Sequence, residues 1–286
     1  MNTSKLYPWL LLTPAVTSLV LFVVVPVAII FAYSFFEFVG TGAEKAAFVM
    51  DNWRDVLTDP FYLGGLWKTV KIAVLATVVS VVVGYVPAYF LANTRSRFRG
   101  LYLLLLIVPF WISFIIRTMS WIHVLGSNGA INSALQRAGV IDHPIEMLYG
   151  PGAVILGLVH FTLPYVILNI YVSLEGIDRH LVEAARSLGA SPWSAFLKVT
   201  LPLSVPGLST GTLLCFVLVT GAFITPLILG GPQDFLFGNL IYDTIISELN
   251  LPLGAALSCV LLIFLGLFVW VFNRFIGLNQ FYNTFR

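Results

Sequence analysis

Five stretches of this chain contain no Asp, Glu, Lys or Arg and are long enough to cross a membrane as a helix, which takes about 20 apolar residues. They are residues 6–36, 72–94, 147–174, 199–233 and 249–273. A sixth apolar run, residues 100–116, continues past Arg117 to residue 125. Overall, 59% of the residues are hydrophobic and 10% are charged, whereas soluble domains carry about 25% charged residues. Lipid must therefore solvate much of this protein.

These runs predict an all-α integral membrane protein with six transmembrane helices in a single membrane domain spanning residues 1–286. We place the spans at about 9–36, 70–93, 100–124, 152–174, 204–229 and 252–275. The first run is far longer than the apolar part of a signal peptide, about 7–15 residues, so we expect it to be retained. Residues 61–71 mix aromatic and basic side chains, which favours a short interfacial helix before the second span.

Basic residues in the loops predict the orientation of the spans, because Lys and Arg concentrate on the cytoplasmic side. One set of loops and ends contains nine of the fifteen basic residues: Lys5, Arg95, Arg97, Arg99, Arg179, Arg186, Lys198, Arg274 and Arg286. Most acidic residues fall on the opposite side. We therefore expect both termini to be cytoplasmic.

A predicted cytoplasmic loop, residues 175–203, contains the signals of a helix, a turn and a second helix. Asp178 is a suitable N-cap, and Gly189 suits the left-handed position that ends a helix. Ser191 and Pro192 suit the start of the next helix. An apolar stripe with helical spacing runs through Leu181, Ala184, Ala185 and Leu188. Such a helix either rests on lipid or docks on a partner, and periodicity leaves both open.

The order of residues in this loop resembles the EAA loop of binding-protein-dependent ABC importer permeases. The matching positions are Glu183, Ala184, Ala185, Gly189, Val199, Leu201 and Pro202. The family prefers Ile at the position of Val199. Residues 52–62, 109–135, 230–241 and 254–258 are similar to the spermidine/putrescine-type permeases, a branch that also includes permeases for opines.

The resemblance implies a type I ABC importer permease fold in the bacterial cytoplasmic (inner) membrane. It implies that the EAA loop couples the permease to a separate ATPase through Glu183, Ala184, Ala185, Gly189, Leu201 and Pro202. Expected partners are two ATPase copies, a second similar permease and an extracytoplasmic substrate-binding protein. ATP and Mg²⁺ would bind to the ATPase, because this chain has no Gly-Lys pair and so no P-loop. No cofactor is expected in the chain itself.

Aromatic and polar side chains within the spans are candidates for the path of the solute. They are Tyr85, Tyr89, Trp111, Arg117, Trp121, His160 and Asn169. Aromatic faces attract organic cations, which fits a polyamine as the solute. The alternative for each residue is structural: aromatic side chains pack helices, polar ones bond neighbouring helices, and Arg117 snorkels to the interface. The predicted span cores contain no carboxylate, so the assignment of the solute depends on the resemblance.

Other classes of protein fit the sequence less well. A secondary carrier would need ionisable residues inside the membrane for ion coupling, and the span interiors contain one histidine, His160, whereas Arg117 and His123 lie toward an edge. An enzyme would need a cluster of catalytic groups, whereas the four histidines lie on separate segments without metal-ligand spacing. The two cysteines, Cys215 and Cys259, lie in apolar runs and predict buried side chains rather than a disulfide. A net charge of +2 is too small to indicate nucleic acid.

Overall fold

The computed structural model describes residues 6–40 and 43–276. Lys5 and Arg286, used above to predict the orientation, lie outside the described residues. The first half of the chain contains helices and a short hairpin: α1 (Leu6–Leu19), a π-helical turn (Val20–Val24), α2 (Val25–Tyr33), β1 (Glu37–Gly40), β2 (Ala43–Lys45), α3 (Asp51–Thr58), α4 (Pro60–Asn93), α5 (Arg99–Ile107), a 3-10 turn (Val108–Trp111), α6 (Phe114–Leu125) and α7 (Ala130–Arg137).

The second half is helical throughout its described part. It contains α8 (Pro151–Glu175), α9 (Arg179–Ser187), α10 (Pro192–Ala195), a π-helical turn (Phe196–Thr200), α11 (Leu201–Leu203), α12 (Val205–Thr220), α13 (Ile224–Leu229), a 3-10 turn (Pro232–Asp234), α14 (Phe237–Ile246) and α15 (Leu251–Ile276). The mainly helical fold predicted from the sequence is confirmed.

Four helical stretches of the described chain are long and apolar enough to cross a membrane: Leu12–Tyr33, Pro60–Asn93, Pro151–Glu175 and Leu251–Phe275. Two further candidates are bent, at 96° between Arg99–Trp111 and Phe114–Arg137, and at 62° between Pro192–Leu203 and Val205–Thr220. Counting each bent pair as one span brings the total to six. The predicted number of helices therefore agrees with the structure, although two of them are not straight.

One local expectation was wrong. Residues 61–71 do not form a separate interfacial helix, because α4 runs without interruption from Pro60 to Asn93. Proline is well accommodated at the first position of a helix, and the Gly64–Gly65 pair does not break this one. The described residues also contain an antiparallel hairpin, in which Glu37 pairs with Lys45, so the chain is not purely helical.

The chain divides into two compact units, of which one contains residues up to Gly64 together with Leu240–Phe264. Within this unit, α3 is attached to the end of α2 by buried polar contacts. The Asn52 side-chain amide donates to the carbonyls of Ser34 at 3.0 Å and Phe36 at 2.9 Å. The Trp53 ring N–H donates to the Ser34 hydroxyl at 3.0 Å. These bonds satisfy carbonyls that the end of a helix leaves without partners.

The other unit contains Gly65–Asn239 and residues 265–276, and twelve residues of α8 are buried. Small residues allow α4 and α12 to approach α8 closely, as is usual between membrane helices. A methyl group on Gly207 would lie 2.5 Å from the Asn169 carbonyl oxygen, and one on Gly84 would lie 3.2 Å from Val166. The hydroxyls of Ser80 and Thr162 form a buried hydrogen bond of 2.9 Å between α4 and α8. This unit contains the candidate functional residues.

Candidate functional site

The predicted coupling loop folds as a helix, a turn and a second helix. The Asp178 carboxylate accepts from the His180 backbone N–H at 2.9 Å and caps the start of α9. The Ser191 hydroxyl accepts from the Ser194 N–H at 3.2 Å and caps α10, whose first residue is Pro192. Both caps were predicted from residue type, and both satisfy backbone donors that a helix leaves unpaired at its first turn.

Gly189 ends α9 in the left-handed conformation that the sequence predicted. Its φ is +86°. The Gly189 N–H donates to the Arg186 carbonyl at 3.0 Å, and the Ala190 N–H donates to the Ala185 carbonyl at 3.1 Å. This pair of bonds is the Schellman motif, which closes the end of a helix and turns the chain sharply. Residues with a Cβ are strained at this φ.

The apolar stripe of α9 is largely exposed. Leu188 is 89% exposed, and Leu181 and Ala184 are also exposed. Trp193, which follows the turn, is 68% exposed. Exposed apolar side chains grouped on a short helix are typical of a surface that a partner covers. The structure therefore presents Ala184, Leu188 and Trp193 as an apolar surface that we name the loop surface.

An aromatic cluster joins the coupling loop to the second span. The Tyr85 and Tyr89 rings stack with their centroids 6.4 Å apart, and both meet the Phe196 ring edge-on, at 5.7 and 5.5 Å. Phe196 in turn stacks on Trp193 at 5.4 Å. Contacts of this geometry stabilise aromatic pairs beyond the burial of their area. Sequence reasoning placed the two tyrosines in the solute path and missed Phe196, because a phenylalanine in an amphipathic loop gives no signal of its own.

A second group of candidates lies where the third span bends. The Trp121 ring N–H donates to His160 Nδ1 at 3.0 Å. The Arg117 guanidinium donates to the Pro109 carbonyl at 3.0 Å, across the bend. The same carbonyl also accepts from the Ile112 backbone N–H at 3.3 Å, so the arginine is its second donor at the bend. Arg117 thus bonds within the protein.

The remaining candidates lie apart from these pairs. The Asn169 side-chain amide donates to the Tyr165 carbonyl one turn back in α8 at 2.8 Å. Asn169 also lines an open groove of about 420 Å³ between α8 and α12, together with Ser173 and Thr210. Trp111 is 79% exposed. The seven candidates therefore form an aromatic cluster, a bend site and two separate residues, rather than one continuous lining within the described chain.

Residues 80–280 match the family described as binding-protein-dependent transport system inner membrane component. The chain belongs to this family. The permease is similar to the spermidine/putrescine transport system permease protein PotB of Escherichia coli (strain K12), with 39% identity over 256 residues, 90% of this chain and 93% of that protein. It is 38% identical over 273 residues to PotB of Salmonella typhimurium (strain LT2), covering 96% of this chain and 94% of the relative.

Solved structures of ABC importers have the same fold as the permease. A chain of the bacterial alginate transporter, in complex with its periplasmic protein, has a TM-score of 0.78 at 15% identity and covers 95% of this chain and 94% of its own. A chain of the MetNI methionine transporter has a TM-score of 0.59 at 20% identity and covers 77% of this chain and 97% of its own. The permease is a multi-pass inner membrane subunit of an ABC importer and is not an enzyme.

Proposed function

We propose that this permease conducts a polyamine, or a related organic cation, and receives the energy for transport from an ATPase that docks on the loop surface. The similarity to PotB supports the solute class. The observation that carries the coupling proposal is the exposed apolar face of α9, where Leu188 is 89% exposed beside a left-handed Gly189. A partner that covers this face would remove Leu188 from water.

In this proposal the small side chains of Ala184 and Ala185 allow the ATPase to approach the backbone of α9 closely. Glu183 lies on the same helix and contacts His180 at 3.3 Å. Leu201 and Pro202 connect the loop to α12, so a displacement of the loop reaches the membrane core through them. The aromatic cluster provides a second connection, from Trp193 through Phe196 to α4.

The proposed assembly has two ATPase copies, a second permease and an extracytoplasmic substrate-binding protein. The first span leaves a surface on which a second membrane subunit or lipid can pack, because none of the apolar window Leu12–Tyr33 is buried in this chain. ATP and Mg²⁺ bind to the ATPase in this scheme. For the path itself we propose Trp121, His160 and Arg117 at the bend, with the other candidates lying along the route to the coupling loop.

Competition uptake tests the solute in the whole complex. Spermidine and putrescine should displace the transported solute at micromolar concentrations, because aromatic faces and external acidic residues favour cations. Opines and other amino-acid-like solutes are the second candidate, since the spermidine/putrescine-type branch resembles this chain and also includes opine permeases. If opines, neutral sugars or anionic amino acids compete and polyamines do not, the proposal that the transported solute is an organic cation is wrong.

Co-purification of the ATPase tests the coupling. Ala185→Trp should separate the docked surfaces, and it should abolish uptake and weaken ATPase association while the amount of permease in the membrane stays near normal. Ala138→Trp is the matched control, since Ala138 is an exposed alanine at the end of α7. Full ATPase association and full uptake with Ala185→Trp would show that α9 is not the docking element.

A further inference from the structure

A polar cavity of about 340 Å³ lies where α4 and α8 end and α9 begins. Its volume is within the range of small-molecule sites. Three basic side chains from two segments line it: Arg95 follows α4, and Arg179 and Arg186 belong to α9. Neither the proposed solute path nor the loop surface uses these three guanidinium groups.

The charge balance of the cavity is positive. Two carboxylates are present among the described residues that line it, Glu175 and Glu183. Arg99, which does not line the cavity, binds Glu175 at 2.5 Å and offsets its charge. Three guanidinium groups then face the single carboxylate of Glu183, which leaves a surplus of two positive charges. An uncompensated surplus of this kind in a partly enclosed space attracts an anion.

The position of the cavity indicates the chemistry of that anion. α4 and α8 are long enough to cross a membrane, and the cavity lies at their ends, at Asn93 and Glu175. The ends of spans lie at the level of the lipid headgroups. Basic pockets between membrane helices at this depth suit phosphate groups, because planar guanidinium groups bind phosphate oxygens in pairs.

We propose that this cavity binds a phosphate-bearing anion through Arg95, Arg179 and Arg186. Because Arg95 follows α4 and the other two arginines belong to α9, a bound phosphate would connect the end of the second span to the helix of the coupling loop. The site would make ATPase coupling depend on the anion that occupies the cavity. This inference goes beyond the proposed function, since it does not depend on which solute is transported.

Native mass spectrometry of the purified transporter complex tests the proposal. After removal of lipid, the complex is titrated with phosphatidylglycerol or phosphatidylcholine, and each titration is repeated with added inorganic phosphate. Retention of phosphatidylglycerol over phosphatidylcholine would identify a lipid headgroup as the source. Binding of inorganic phosphate, detected by isothermal titration calorimetry, without retention of either lipid would identify a free anion.

Substitution of the arginines decides between a site and non-specific attraction. Each of Arg95→Gln, Arg179→Gln and Arg186→Gln should weaken binding by roughly fivefold. Arg97→Gln is the matched control, because Arg97 belongs to the same basic segment but does not line the cavity. Arg186→Lys keeps the charge but loses the paired donors, so it should weaken binding less than Arg186→Gln does. Equal phosphate and lipid binding by the three variants and by Arg97→Gln would overturn the proposal. The proposal would also be overturned if the variants lost ATPase association but kept their phosphate and lipid binding. The cavity would then be a docking site for an acidic segment of the ATPase.

Discussion

The hydroxyl of Tyr85, in the middle of α4, lies 3.0 Å from the hydroxyl of Ser204, where the coupling loop meets α12. Ser204 is fully buried and also donates to the Leu201 carbonyl at 2.9 Å. A buried hydroxyl that keeps a partner from another helix fixes the position of both helices. We infer that this bond and the Phe196 contact together connect α4 to the loop.

Tyr85→Phe tests this connection with the smallest possible change. It removes one hydroxyl and keeps the ring against Phe196, so the expected loss of stability is about 1 kcal/mol. Uptake should fall more than stability does, because the loop would be less firmly attached to α4. Thermal unfolding in detergent and uptake by the complex are the measurements. Tyr102→Phe is the control, since no hydrogen bond of its hydroxyl is present in the described chain. Equal effects of the two substitutions would contradict the prediction.

Gly189→Ala should reduce uptake. The φ of +86° is strained for a residue with a Cβ, at a cost of about 1–3 kcal/mol, although a methyl group there would meet nothing within 4 Å. The effect would therefore arise from the backbone and not from crowding. Gly176→Ala is the control: Gly176 ends α8 with a φ of −73°, and its added methyl group would lie 3.6 Å from the nearest atom. ATPase co-purification and uptake should both decrease for Gly189→Ala alone. Unchanged uptake with Gly189→Ala would show that the sharp turn is dispensable.

Gly207→Ala should destabilise the packing of α8 and α12. The added methyl group would lie 2.5 Å from the backbone carbonyl oxygen of Asn169, which cannot rotate away. The expected cost is about 1–3 kcal/mol, the range found when a packed core is overfilled. Gly152→Ala, at the open start of α8, is the control because its methyl group would meet nothing within 4 Å. The melting temperature of the detergent-solubilised permease should fall for Gly207→Ala and stay constant for Gly152→Ala.

Labelling of single cysteines tests the orientation predicted from the basic loops. In a background without Cys215 and Cys259, cysteines at Arg97 and Ser194 should be protected from an impermeant thiol reagent added to intact cells. Cysteines at Ala46 and Gln233 should react. The reverse pattern would place both termini outside the cell.

Local features of the coupling loop were predictable because each depends on residues close in sequence. Asp178, Ser191 and Gly189 act on the backbone within a few residues of themselves, through caps and a preferred φ. The long spans were predictable for a similar reason, since solvation by lipid requires an unbroken apolar run. Neither feature needs knowledge of the tertiary structure.

Features that depend on distant residues could not be predicted. The third span bends by 96° where Arg117 bonds the Pro109 carbonyl, and a proline alone does not specify how sharp the turn is. The aromatic cluster brings Phe196 against Tyr85 from another helix. The arginines of the polar cavity belong to different segments, and their sequence positions do not show that they share a space.

The close approach of α12 to α8 at Gly207 has a mechanical consequence. Two helices whose backbones touch through a glycine have no side-chain layer between them that could yield, so they cannot slide or separate without losing the contact. During a transport cycle this pair would travel as one rigid body. Bending would then occur beyond the ends of the pair, where Gly221 to Phe223 separate α12 from α13 and where a π-helical turn ends at Thr200 before α11. These two joints would act as the hinges of the permease.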